Sequence, residues 1–530
     1  MAETELERKN LPYAIEYYMR AIRAAPENLS YKQRFLDIAA NISLDGYQPG
    51  VEDIILQCLK TPDTNFSFSQ NLWYSALLTH PGFQALYVDA DVFNKKFDSS
   101  PFLHACFVEG VRRMVIYDLT FENFMQRLRR WLLTGLASPE SMPAHEDYTR
   151  LADAVSAYCY ETEYIFEETD EERARVEKLR VRIESGETAD PLMLAVYACY
   201  EPPCKLQNIP DALLHGLPSV ACFVQENLAL ESSRKSLKSQ DINDSVSLEV
   251  QKQYEEFPYP RWRAKAKMPQ KVPSQAPCAQ ERHLLNKTPE ILVAGCGTGY
   301  ESLQRAIIFP DGHVTAIDLS STSLAYAAMR AGEYGANNLT FKKMDILDLK
   351  DDPARYDLIS SHGVLHHMRE PLTGWGILCD LLKEGGAMKI ALYSKTARRF
   401  ITHTRDVIRK NGYTHDRKSM AAFRKKSPEL LDNQTMMNLH RGRGDYYSMS
   451  MYRDLLFHVQ EHCFDLLEIE KALDDLDLTF SGFELGQDVM EEYRKEYPDD
   501  SEGISLKNWH RFEQANPDTF RTMYRFWCQK

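Results

Sequence analysis

From Leu11 to about Leu230 the apolar residues recur three and four apart, as in Phe121-Glu122-Asn123-Phe124-Met125-Gln126-Arg127-Leu128-Arg129-Arg130-Trp131-Leu132-Leu133. That spacing is one face of an α-helix, and strand-like alternation is scarce there, so residues 1–230 read as an all-α domain. From Pro289 the texture changes to short β-branched runs separated by helical stretches. Strands are expected at Ile291–Ala294, Val314–Ile317, Leu339–Lys343, Leu358–Ser360 and Met388–Leu392, with later ones at Leu478–Glu484 and Met523–Cys528. Helices are expected near Glu301–Ile308, Ser321–Tyr334, Leu372–Leu382 and Leu467–Leu476. Strand and helix in alternation predict βαβ units around a parallel sheet.

Near the start of the helical half, Ala14, Tyr18, Ala21 and Pro26 fall at offsets of four, three and five. Small residues there let two helices approach and proline ends the second, the pattern of a tetratricopeptide repeat's second helix. A weaker unit ends at Val51, Ile55, Cys58 and Pro62. Such repeats need about three copies to bury a continuous core, so a repeat array and a helical domain without repeats both stay open. The polar run Ser232-Ser233-Arg234-Lys235-Ser236-Leu237-Lys238-Ser239-Gln240-Asp241 marks residues 231–252 as a linker. Residues 253–288 follow as a lid or connector, because Gln253-Tyr254-Glu255-Glu256-Phe257-Pro258-Tyr259-Pro260-Arg261-Trp262 is rich in aromatics and broken by prolines.

Composition narrows the classes. At 44 % hydrophobic and 26 % charged over 530 residues, the chain is globular and neither disordered nor collagenous. Its formal charge of −14 argues against a surface built throughout to coat nucleic acid. Eleven cysteines without a C-x-x-C pair fit buried thiols in a reducing compartment. The acidic start Met1-Ala2-Glu3-Thr4-Glu5-Leu6-Glu7 lacks the features of a signal peptide, and no apolar run reaches the length of a membrane span. A cytoplasmic location without membrane contact is expected.

Chemistry concentrates in Ile291-Leu292-Val293-Ala294-Gly295-Cys296-Gly297-Thr298-Gly299, a buried strand entering a glycine turn that opens a helix. Glycines let the backbone approach a ligand, and the helix start offers unpaired N–H groups to an anionic end. The second strand ends at Asp318, nineteen residues after Gly299, where a carboxylate can accept ribose hydroxyls, and Asp345 stands after the third. A dinucleotide fingerprint would put a glycine at position 300, which is Tyr300, and no phosphate-binding G-x-x-x-x-G-K-[S/T] occurs.

With Gly-Cys-Gly-Thr-Gly, Asp318, Asp345 and Ser360-Ser361-His362-Gly363-Val364-Leu365-His366-His367-Met368, the chain resembles the class I S-adenosylmethionine-dependent methyltransferases. The resemblance implies a Rossmann-like, doubly wound seven-stranded α/β sheet over residues 289–530, with a basic helical insertion near 395–445. It implies S-adenosylmethionine as cofactor, its methionine end on Gly295, Cys296, Gly297 and Gly299, and its ribose on Asp318 beside Leu319. The adenine falls to Asp345 with Met344 and Ile346, and Ser361 borders the sulfonium. The family commonly carries an acid two residues before the first glycine; here that position is Val293. The order of the segments is further similar to bacterial tetratricopeptide-repeat-containing methyltransferases.

For the transfer itself His366, His367, Tyr254 and Glu255 are the candidates, as bases or lid residues. No N/D-P-P-Y/F/W tetrapeptide follows the fourth strand, which disfavours base-amine and amide acceptors. Between Lys395 and Lys426 eleven basic residues face two acids, a segment suited either to an acidic ligand or to a solvated or docked helix face. His458-Val459-Gln460-Glu461-His462 matches an inverted zinc-peptidase signature, but no catalytic domain of that kind surrounds it and no metal is expected; His458 and His462 are expected to line the site or an interface instead. A protein or peptide is the first choice of acceptor, because helical repeat surfaces commonly hold peptides, with a small molecule second and RNA third. The rival is a helical interaction protein that binds the cofactor without turnover.

Overall fold

The computed structural model describes residues 1–530 except 41, 62, 67–68, 90, 95–97, 137–144, 188–189, 257, 263–278, 286, 441–443 and 522, and only the backbone of 94, 238–239 and 279–280. The chain divides into two compact units, one of Met1–Asn227 with His440–Met449, the other of Leu228–Trp262, Lys267–Leu439 and Ser450–Lys530. No described helix is long and apolar enough to cross a membrane.

Among its described residues the first unit is helical, with helices of 4 to 19 residues, the longest of which, Pro218–Ser236, runs on past Asn227. Ala14 and Tyr18 are buried on helix Leu11–Ala24, and Val51, Ile55 and Cys58 on helix Pro49–Leu59. Pro62 lies outside the described residues. Its centre is aromatic: the Phe83 ring meets those of Phe107 and Phe124 at centroid distances of 5.3 and 5.5 Å, the tilted and edge-on contacts that such rings prefer.

The second unit is built on one sheet of strands β1 (Lys238–Ser239), β2 (Glu290–Ala294), β3 (His313–Asp318), β4 (Leu339–Lys343), β5 (Tyr356–His362), β6 (Leu382–Tyr393), β7 (Thr479–Phe483) and β8 (Met523–Gln529). Their order is β1-β4-β3-β2-β5-β6-β8-β7, parallel except for β8, which runs against β6 and β7. Seven strands form the expected doubly wound sheet, and β1 adds an eighth at the β4 edge. Alternation along the strands sorts side chains into two layers. Leu292 and Ala294 pack with Ile359, Met388 and Trp375 on one face, Ile291 and Val293 with Val314, Leu358 and Trp527 on the other.

Residues 231–252 differ from the expected linker. They finish helix Pro218–Ser236, contribute β1 and begin helix Ser245–Glu255. The Asp244 carboxylate accepts the Val246 and Ser247 N–H groups and so starts that helix, while Val250 is buried. Polar residues here reflect one exposed helix face. The following aromatic segment lies over the glycine turn: the Trp262 indole donates to the Thr298 carbonyl at 3.0 Å, and the Thr298 hydroxyl donates to the Pro260 carbonyl. Much of the remainder of 253–288 is outside the described residues. The basic segment forms helices Arg399–Lys410, Arg417–Leu430 and Asn433–His440.

Candidate active site

A cavity of about 140 Å³ opens at the C-terminal ends of the central strands. Because β4, β3, β2 and β5 lie side by side, their ends supply its lining in turn: Met344, Asp345 and Ile346; Asp318 and Leu319; Gly295 and Gly297; His362, Gly363 and Val364. Helix Ser245–Glu255 adds Ser247, Val250 and Tyr254.

The glycine turn leaves no room for side chains. At Gly295, with φ +76°, a Cβ would lie 2.2 Å from Val364; at Gly297, with φ +51°, it would lie 2.8 Å from the Tyr259 carbonyl oxygen. Asp318 braces the turn, its carboxylate accepting the Gly297 N–H at 2.7 Å and the Ser320 N–H at 2.9 Å. Burial pushes its pKa up, and those N–H donors pull it back. Each oxygen keeps a lone pair for a ligand hydroxyl. Asp345 accepts the Leu347 N–H with one oxygen at 3.0 Å, while its Oδ2 is buried without a hydrogen bond. An unpaired buried acceptor is costly, so it marks the place of a ligand donor.

Beyond the turn the cavity ends on Tyr254, Tyr259 and His367. The two phenols stack with centroids 5.1 Å apart, and both donate to Asp454, Tyr259 at 2.9 Å. His458 Nδ1 accepts the Gln460 N–H at 3.1 Å, so in the neutral ring Nε2 carries the proton and donates to the Tyr254 oxygen at 3.0 Å. His367 Nδ1 donates to the Gln460 carbonyl at 2.8 Å, which leaves the Nε2 lone pair available, and its ring stacks on His458 at 3.6 Å. Behind this layer Arg398 lies 3.6 Å over the Tyr393 ring, and the Glu461 carboxylate holds Arg398 at 2.8 Å and Arg405 at 2.7 Å. Two of the segment's eleven basic side chains therefore share one acid inside the fold, and Arg409, Lys426 and Lys395 pair with nearby acids.

Of the residues singled out in the sequence, Gly295, Gly297, Asp318, Leu319, Met344, Asp345, Ile346, Tyr254 and His367 line the cavity. Cys296, Gly299, Ser361, His366 and Glu255 do not. Glu255 caps helix Ser321–Glu333, accepting the Ser321 and Thr322 N–H groups at 2.9 and 3.1 Å, so its carboxylate is already engaged. His366 is fully buried against Tyr393, with neither ring nitrogen hydrogen-bonded. Tyr259, His362 and Asp454 join the site without having been singled out for it, and His458, expected to line the site or an interface, reaches it through the Tyr254 hydroxyl, 204 positions away. The H-x-x-E-H residues are not on a helix, and Glu461 is bound by arginines. His367, Asp454 and His458 bring potential ligand atoms within 4.8 Å of one another. In this arrangement, however, His458 Nδ1 accepts the Gln460 N–H and its Nε2 donates to Tyr254, so that ring offers a metal no lone pair.

Burial holds His366 and His458 well below the usual 6.5, and His367 below it as well. The unfolded chain therefore takes up protons first. Stability is full above about 6.5 and falls with pH below it, at about 1.4 kcal/mol per pH unit for each such histidine while the folded ring stays neutral. The melting temperature is expected to drop between pH 7 and pH 5.5, less steeply in His366→Phe. A flat profile over that interval would contradict the buried neutral rings.

Residues 285–444 match a family profile described as a methyltransferase domain. Among curated proteins, an uncharacterized protein of Synechococcus sp. is 30% identical over 207 residues, which are 37% of this chain and 48% of that protein. The malonyl-[acyl-carrier protein] O-methyltransferase of Bacillus cereus is 36% identical over 83 residues, 16% of this chain and 29% of that enzyme. The chain thus spans less than half the length of either relative. Among solved structures, PKMT2 from Rickettsia typhi in complex with AdoHcy aligns with a TM-score of 0.35 and 17% identity, covering 46% of this chain and 49% of that one. The cavity suits the cofactor of the matched family on its own geometry: an unpaired acceptor at Asp345, open lone pairs at Asp318, and a glycine floor that a single Cβ would fill. Sheet order, glycine turn and profile agree: residues 285–444 of this chain form a methyltransferase domain of the S-adenosylmethionine-dependent kind.

Proposed function

We propose that the chain transfers the methyl group of S-adenosylmethionine to a nucleophile carried on a protein or peptide. The observation that carries this reading is the helical unit Met1–Asn227, which has its own aromatic core and an apolar hollow lined by Leu11, Ile15, Phe35 and Leu72. A helical unit of that size offers room to hold a peptide, as helical repeat surfaces commonly do.

The bound cofactor supplies an electrophilic methyl group. The chain's part is to align the acceptor and keep water out. Tyr254 and Tyr259, fixed through Asp454, form a rigid wall at that end of the cavity. A nucleophile that arrives protonated must lose its proton, and His367 is placed for this: burial keeps it neutral, and its Nδ1 bond to the Gln460 carbonyl points the basic lone pair to Nε2. His367→Asn is expected to lower the rate of transfer by about 10²- to 10³-fold with cofactor affinity unchanged. An unchanged rate would remove His367 from the chemistry.

The test supplies methyl-labelled S-adenosylmethionine and purified protein to a cell extract, then sorts the label by size and by sensitivity to protease and nuclease. Protease-sensitive label supports the reading. Label confined to small molecules or nuclease-sensitive material overturns it, and no label despite cofactor binding favours an interaction protein without turnover.

A further inference from the structure

The family's usual acid before the glycine turn is replaced by Val293, whose side chain is buried in the apolar layer with Ile291, Val314 and Leu358. No carboxylate reaches the cavity from that position. Val293 pairs with Ser360 on β5, and His362 stands two residues further on the same face, at the strand's end. One side chain reaches both. Glu301, in the first turn of helix Tyr300–Ile308, accepts the Ser360 hydroxyl at 2.7 Å and lies 2.9 Å from His362 Nδ1.

With Nδ1 committed to Glu301, the neutral ring keeps its lone pair on Nε2. His362 lines the cavity, and this Nε2 is buried without a hydrogen-bond partner. Among the side-chain polar atoms of the described lining, it shares that condition with Asp345 Oδ2 alone. The two orphans lie on opposite sides of the glycine turn, one after β4 and the other at the end of β5. If the adenine amine satisfies Asp345, the second orphan falls at the methionine end, where the remaining donor of the cofactor is its ammonium group.

We infer that His362 is the acceptor for the α-ammonium group of the cofactor's methionine moiety, that Glu301 is its positioning residue, and that the pair replaces the acid missing at Val293. This rests on the cofactor assignment above. The experiment measures by calorimetry the binding of three probes to the full chain: S-adenosylhomocysteine, its decarboxylated analogue that keeps the amine, and 5′-methylthioadenosine, which lacks both amine and carboxylate. His362→Ala is expected to weaken the first two by about 10- to 100-fold, the range for a hydrogen bond to a charged group, and to leave the third unchanged. His362→Gln, whose amide oxygen can accept, should recover most of that loss, and Glu301→Gln should weaken the same two probes while leaving methylthioadenosine alone. Equal loss of all three probes, or loss for S-adenosylhomocysteine without loss for the decarboxylated amine, would overturn the inference. Failure of the unsubstituted chain to bind any probe would instead overturn the cofactor assignment itself.

Discussion

Asp318→Ala is expected to weaken binding of S-adenosylhomocysteine by about 100-fold or more. The carboxylate has two tasks. It accepts the Gly297 N–H at 2.7 Å and the Ser320 N–H at 2.9 Å, which fixes the glycine turn against β3, and it offers its remaining lone pairs to the ribose hydroxyls. Each hydrogen bond to a charged group is worth about 1.5–3 kcal/mol, and about 2.7 kcal/mol corresponds to 100-fold in affinity. Freeing Gly297 adds to the loss, because that residue occupies a left-handed conformation under the Tyr259 carbonyl and the turn closes on it. Calorimetric titration, with circular dichroism to confirm the fold, gives the comparison. A loss below about threefold would mean that the ribose is held elsewhere.

The second large effect is on stability. Glu461→Ala is expected to destabilise the fold by about 3–5 kcal/mol, the cost of leaving a buried charge uncompensated. The Glu461 and Arg398 side chains are only 5% and 6% exposed and Arg405 14%, so removing the acid strands two guanidinium groups in the interior. Arg398 also lies over Tyr393, and Arg405 donates to the Asp454 and Leu455 carbonyls at 3.0 and 2.9 Å, so the disturbance reaches the end of the helix that carries Asp454. A fall in melting temperature of roughly 10 °C follows from the usual relation for domains of this size. If Glu461 were instead the base of a zinc hydrolase, its loss would remove an activity and leave stability nearly unchanged.

Much of the sheet was legible because its signals are local. Leu339–Lys343 was bounded as it stands, and the runs at Ile291–Ala294 and Val314–Ile317 extend by one or two residues. Both faces of β2 and β3 are covered, so they read as apolar runs cut off by turn residues. The cofactor end was legible for a related reason: glycine turn, Asp318 and Asp345 each end a strand, and the order β4-β3-β2 brings those ends together. What escaped depends on distance along the chain. Glu255 looks like a free carboxylate until helix Ser321–Glu333 arrives to be capped by it. His458 reads as half of a metal motif, but no helix forms between it and His462, and its ring meets Tyr254 and His367 instead. Helix Ser245–Glu255 was hidden by a polar composition that serves its exposed face, while Val250 and Tyr254 on the other face line the cavity.

The most direct measurement is a crystal structure of the full chain with S-adenosylhomocysteine. The prediction places the adenine amine on Asp345 Oδ2, the ribose on Asp318, and the sulfur toward the end formed by Tyr254, Tyr259 and His367. A nucleoside bound outside this cavity, or reversed within it so that adenine lies against Tyr254 and His367, would contradict the assignment of its two ends.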